Sequence, residues 1–283
     1  MDFDSSITAI YCVCDDVLAM LGHCDDAQCK MSLAEVITTT ITAAFFHHGN
    51  LSRTRVFVQV AGYIPNVLSL SRLCKRWRKV PQEVWQWILF ILARYLRNLT
   101  PSSNTFVIDS FPIPVCQPYR SRKCRLFRGK EYLGFCASKK LNYYGLKGHL
   151  LVDENGFVID YTITPASVND SRAFSWMNLD LPERSKILAD KAYSSYLIED
   201  LLTQCESIEL LPLRRRNLHR QHSFEMTQHI QSSRRIVESS ISAIQSLFPK
   251  AINARSPFGF ELKITMFVIA KSFRDVFRQL TDA

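Results

Sequence analysis

Three carboxylates stand where they could share chemistry. Asp109 follows Thr105-Phe106-Val107-Ile108, Asp190 follows Lys186-Ile187-Leu188-Ala189, and Glu238 follows Arg234-Arg235-Ile236-Val237. The first two repeat one pattern, a short apolar run and then an acid. Burying an unpaired carboxylate is costly, so one at a strand end calls for a partner cation or a cleft. In open α/β sheets, ligands bind beyond the carboxyl ends of the strands. Three converging carboxylates form a hard-oxygen set that suits Mg²⁺, and two such ions can clamp the attacking and leaving oxygens of a phosphoryl displacement. Plainer readings stand beside this one. Asp109 suits a turn or cap, and Glu238 suits a surface pair with Arg234 or Arg235, at i−4 and i−3. Asp170 competes for the second place, but it precedes Ser171-Arg172-Ala173-Phe174, where an N-cap is the natural job. Asp190 is preferred because it follows a strand.

The elements that must position these acids are legible in the pattern. Phe106-Val107-Ile108 lies between Pro101-Ser102-Ser103-Asn104 and the breakers Pro112 and Pro114, which predicts a short buried strand. Tyr144–Val152 and Phe157–Thr164 flank Asp153-Glu154-Asn155-Gly156, a strong hairpin signal. Lys186–Ala189 and Ile208–Pro212 read as a fourth and a fifth strand. A helix from about Ile230 to Phe248 carries Val237, Ile241, Ile244 and Phe248 as an apolar stripe. Glu238 lies about 100° from Val237, at the stripe's edge. Strand, strand, strand, helix, strand, helix, strand, helix is an RNase H-like order. The expected architecture is therefore α/β. Residues 101–283 form an RNase H-like mixed five-stranded sheet with flanking helices and a basic insertion at 111–142. An all-helical region at 1–100 precedes it.

Charge points to a polyanionic partner. The chain has 283 residues, with Lys+Arg at 35 against Asp+Glu at 26 and a formal charge of +9. Candidate DNA contacts are Arg72, Lys75 and Arg76 in the 71–80 helix, then Arg120, Arg122, Lys123, Arg125, Arg128, Lys139 and Lys140 in the insertion, and Arg214, Arg215, Arg216 and Arg234 further on. Tyr119, Phe127, Tyr132, Phe135, Tyr143 and Tyr144 are interleaved with the second group, a composition that suits a DNA-strand groove. Residues 51–99 read as three helices. The break at Gly62-Tyr63-Ile64-Pro65-Asn66 before the basic helix allows either a helix-turn-helix or the solvated face of a bundle. The nine cysteines are irregularly spaced and read as free thiols in a reducing compartment rather than zinc ligands. The acidic start is unlike a secretory leader, and the longest apolar stretch, Val84 to Leu96, is too short to span a bilayer. The expected setting is cytoplasmic, with no membrane partner.

From Asn104 to Phe248 the chain resembles DDE transposases of bacterial insertion sequences, closest to the insertion sequence 982 family. The resemblance is carried by Val107-Ile108-Asp109-Ser110-Phe111-Pro112 and Tyr144-Gly145-Leu146-Lys147-Gly148-His149-Leu150. It continues through Thr164–Asp170, Ala189-Asp190-Lys191-Ala192-Tyr193 and Arg234-Arg235-Ile236-Val237-Glu238. It implies that Asp109, Asp190 and Glu238 hold two Mg²⁺ ions, with Mn²⁺ able to substitute. The implied activity is cleavage at inverted-repeat element ends and strand transfer to target DNA, by a homodimer or higher assembly on DNA in the bacterial nucleoid. A decayed copy that only binds DNA, or a metal-dependent nuclease, would share these features. Related families place an Arg four before the Glu, which Arg234 matches, and a Tyr and a Lys where Gln231 and Gln245 stand.

Overall fold

The computed structural model describes residues 2–101, 103–137 and 140–282. It divides into two compact units, residues 1–99 with 243–283 and residues 100–242.

The first unit is helical: α1 Phe3–Met20, α2 Leu33–His47, α3 Leu51–Val60, α4 Leu70–Trp77 and α5 Gln82–Leu99, joined by the end of α8 (Phe224–Leu247) and by α9 Pro257–Asp282. A capping box starts α2: Ser32 Oγ accepts the Glu35 N–H at 3.0 Å, and Glu35 accepts the Ser32 N–H at 2.6 Å. Helix α9 is apolar nearly all round, with Phe260, Met266, Phe267, Ile269 and Phe273 buried. Such a helix needs partners on every side, which α2 and α5 help to supply. This moves the expected boundary, since residues 243–283 group with the N-terminal helices rather than with the sheet. The α3–α4 connection runs over residues 61–69, longer than the three or four residues of a helix-turn-helix.

The second unit is a mixed α/β fold of the RNase H-like kind. Its sheet has six strands, one more than expected: β1 Thr105–Cys116, β2 Leu133–Cys136, β3 Leu141–Asp153, β4 Val158–Pro165, β5 Lys186–Ala189 and β6 Glu209–Pro212. The order is β2-β3-β1-β5-β6, with β4 also paired to β3. The extra strand, β2, lies inside the segment read as a basic insertion. Its Leu133 and Phe135 are exposed, so no one-sided apolar alternation announced it. Helices α6 Asp170–Phe174 and α7 Tyr196–Cys205 follow β4 and β5, and most of α8 belongs to this unit.

Strand β1 runs through Pro112 and Pro114 instead of stopping at them. Asn104, of the same parity, gives its carbonyl to Lys186 beside β5. The two prolines therefore aim their missing N–H groups toward that side. Pairing with β5 has already ended there, at Ile108↔Ala189. No ladder hydrogen bond is lost, and β1 stays paired to β3 on its other edge.

The β3–β4 hairpin forms as the Asn-Gly signal predicts. Gly156 has φ +81°, and Asp153 Oδ1 accepts the Asn155 and Phe157 N–H groups at 3.0 and 2.9 Å. Ser240 of α8 donates to the Gly156 carbonyl at 2.7 Å in a buried setting. A Cβ at Gly156 would come within 2.9 Å of that hydroxyl. Ser240 thus pins the α8 turn that carries Glu238. Ser240→Ala is expected to cost about 1 kcal/mol in a urea titration; an unchanged midpoint would show that the contact contributes nothing.

Candidate active site

The sheet register sets two of the acids side by side. Ile108 pairs with Ala189 in the parallel β1–β5 ladder. The next residue along the chain in each case is the carboxylate, Asp109 within β1 and Asp190 just past β5. The third acid comes from α8. Ile230, Val237, Ile241, Ile244 and Leu247 are the buried stripe there, with Leu247 in the place expected for Phe248. Glu238 stands at its edge, 56% exposed.

One guanidinium gathers all three. Arg234 Nη2 is 3.3 Å from Asp109 Oδ2 and 3.5 Å from Glu238 Oε1, and Nη1 is 3.4 Å from Asp190 Oδ1. Arg234, expected as a DNA contact, is instead committed inside the acid cluster. The i−4 ion pair of Glu238 exists, and its cation also holds the two strand acids. Burial works against the charge of Arg234, but Asp109 and Asp190 outweigh it and its pKa is raised.

The cluster carries three acids against one cation. Burial pushes the Asp109 carboxyl up to about 6, although Arg234 and the Ser110 N–H pull the other way. Asp190 Oδ1 is buried and, despite its ion-pair distance to Arg234, accepts no directional hydrogen bond. An orphaned carboxylate oxygen in a cluster of three acids on one guanidinium is a hard-oxygen set short of positive charge. Its donor chemistry fits a divalent cation. Among the described residues, however, no group of three His, Cys, Asp or Glu side chains is closed tightly enough to hold a metal ion. The acids are spread around the guanidinium rather than around a point.

Asp109 and Ser110 point to opposite faces of the sheet. On the Ser110 face lies a second polar group that the sequence reading did not assemble. Ser110 Oγ donates to Asp170 Oδ2 at 3.1 Å, and Lys147 Nζ donates to Asp170 Oδ1 and to the Val168 carbonyl, both at 2.8 Å. Asp170 is therefore an ion-pair partner. The N-cap of α6 is Asn169, whose Oδ1 accepts the Ser171 N–H at 3.1 Å. Beneath them His149, fully buried, sits 3.0 Å from Tyr193 Oη and 3.2 Å from Thr164 Oγ1. Burial lowers its pKa to about 4, which keeps it neutral. The parity of Lys147 and His149 on β3 was the available signal, since the register sets them opposite Pro112 and Ser110.

Several expected DNA contacts have other partners. Arg214 forms a bidentate pair with Glu199 at 2.8 and 2.6 Å, with side chains only 6% and 7% exposed, and its guanidinium also lies over Tyr196. Arg76 bonds the Met31 carbonyl and, at 3.1 Å, Asp25. A guanidinium has five donors, and both found acceptors within reach. Arg72, Lys75, Arg120, Arg122, Lys123, Arg125, Arg128, Lys140, Arg215 and Arg216 are exposed. Lys139 lies outside the described residues. Among the described residues, no helix is long and apolar enough to cross a membrane.

The family model described as "Transposase DDE domain" matches residues 101–249, a little more than half of the chain. No curated protein and no solved structure gives a match.

Proposed function

Because the chain belongs to the transposases that carry a DDE domain, we propose that Asp109, Asp190 and Glu238 are its catalytic carboxylates. On this reading it cuts DNA at the inverted-repeat ends of its element in a Mg²⁺-dependent step and joins the freed strand to target DNA. The observation that carries the reading is the single guanidinium of Arg234, in ion-pair range of all three acids. They come from two adjoining strands and a helix far apart in sequence, and a chance surface pair would not collect them.

Asp109, Asp190 and Glu238 would hold the divalent metal, which when bound supplies positive charge to the scissile phosphate and a more acidic water. The chain's own residues set the stage. The Ser110 N–H fixes one oxygen of Asp109 at 2.8 Å, and Ser240 fixes the turn that presents Glu238. Arg234 neutralises part of the cluster. Exposed cations, Arg72 and Lys75 in one unit and Arg120, Arg122, Lys123, Arg125, Arg128, Lys140, Arg215 and Arg216 in the other, are proposed to follow the DNA backbone. The motif runs around Asp109, Lys147 and Asp190 support placement in the insertion sequence 982 group, acting as a dimer or higher assembly on DNA of the nucleoid.

Glu238→Gln tests this. A surface pair alone is worth about 0.3–0.5 kcal/mol, so the thermal midpoint should hardly move. Mg²⁺-dependent nicking of a supercoiled plasmid carrying the DNA that flanks the coding sequence should be lost. A variant that still nicks at the wild-type rate would remove Glu238 from the site.

A further inference from the structure

A polar cleft of about 470 Å³ opens beside the Lys147–Asp170 pair. Three short segments line it: Ser167–Asp170 after β4, Lys191–Ser194 after β5, and Arg215 with Leu218 after β6. Strands β1, β4, β5 and β6 all run in the same direction, since β3 is antiparallel to both β1 and β4. The cleft therefore lies beyond the carboxyl ends of β4, β5 and β6, at the edge where Asp190 follows β5 and where Asp109, inside β1, stands level with it in the register; such edges bind ligands.

Its chemistry is specific. Lys147, Lys191 and Arg215 bring positive charge, and Ser167, Asn169 and Ser194 bring hydrogen-bonding groups. The one acid in the lining, Asp170, is already matched by Lys147 at 2.8 Å. Lys191 and Arg215 are exposed, and neither has an ion-pair partner among the described residues. Two cations are thus left uncompensated. No aromatic ring is among the lining residues, so an unstacked base would find no platform there. Lone cations with hydroxyl and amide donors suit the oxygens of a phosphodiester. The cleft is tied to the acid cluster through a single residue. The Ser110 N–H holds Asp109 at 2.8 Å, and its hydroxyl holds Asp170 at 3.1 Å.

We propose that this cleft is a phosphate-binding subsite that grips the DNA backbone next to the cut, with Lys191 and Arg215 as its contacting cations and the Lys147–Asp170 pair as its rigid wall. The proposal rests on the reading of the acid cluster as the cutting site for its register along the strand, and on the cleft alone for its affinity.

The test is equilibrium binding of a short fluorescein-labelled duplex of random sequence, followed by anisotropy over a salt series with a chelator present. The full-length Lys191→Ala/Arg215→Ala variant is compared with wild type and with Lys250→Ala/Arg255→Ala, which removes the same charge from exposed positions outside the sheet unit. Two lost phosphate contacts should flatten the log–log salt slope by up to about 1.8, at about 0.9 per contact. The control slope should match wild type. An unchanged slope in the cleft variant, or an equal change in the control, would overturn the subsite. Because chelated binding involves no cutting, these outcomes do not depend on the carboxylate assignment. A Glu238→Gln variant that still nicks would sink that assignment without touching this one.

Discussion

Asp109→Asn and Asp190→Asn are each expected to lower Mg²⁺-dependent nicking by more than about a hundredfold, while duplex binding in chelator stays near the wild-type value. An amide keeps the shape of the carboxylate but cannot supply the charge that holds a hard divalent ion. Even outer-shell partners of metal ligands cost about 10–100-fold when lost, so a direct ligand should cost more. Asp109→Asn carries a second, opposite expectation. The folded carboxyl titrates at about 6 against an ordinary 3.8, because burial disfavours its charge. The folded state therefore holds that proton more tightly than the unfolded chain. The stability this gives is complete below about pH 4 and is lost as pH rises through about 6. At neutral pH without divalent metal the wild-type protein bears the full penalty, up to roughly 3 kcal/mol. Asp109→Asn should thus be inactive yet more stable at pH 7, with the gain vanishing by about pH 4. Thermal melts across that range, paired with the nicking assay, check both halves. Full activity in Asp190→Asn together with loss in Asp170→Asn would mean that the second acid is the one paired with Lys147.

The second large effect concerns Arg214. Its pair with Glu199 is almost wholly enclosed, at 6% and 7% exposure, and Glu199 also accepts the Ser195 N–H at 3.2 Å. Arg214→Ala would strand a buried carboxylate, a loss of about 3–5 kcal/mol. That is a large part of the roughly 5–15 kcal/mol that holds a typical domain. Replacing both partners with apolar residues of similar volume should restore most of it, because the cost lies in the orphaned charge. Below the melting temperature the salt dependence of DNA binding should not change in either variant. Arg214→Ala with a wild-type melting point would return this residue to the solvated basic run. A flattened salt slope would make it a phosphate contact after all.

The sequence by itself determined the local elements and their polarity. Apolar runs ending in Asp109 and Asp190 became parallel neighbours, and the Asn155-Gly156 turn closed the hairpin at φ +81°. The three-and-four spacing of Val237, Ile241 and Ile244 set Glu238 at a stripe's edge. These follow from periodicity and turn chemistry, which act over a few residues. Tertiary structure decided whatever depends on partners far along the chain. Pro112 and Pro114 read as breakers, yet they lie within β1 because the edge they face has no strand left to pair with. Helix α9 joined the N-terminal helices because a helix apolar all round needs partners on more than one side. The fate of each arginine was the least legible feature. Arg76, Arg214 and Arg234 look alike in a charge count, but acids 51, 15 and 125 residues away claimed them. Charge is a property of the residue, whereas neutralisation belongs to the neighbourhood, and only the folded chain brings the acceptors within reach.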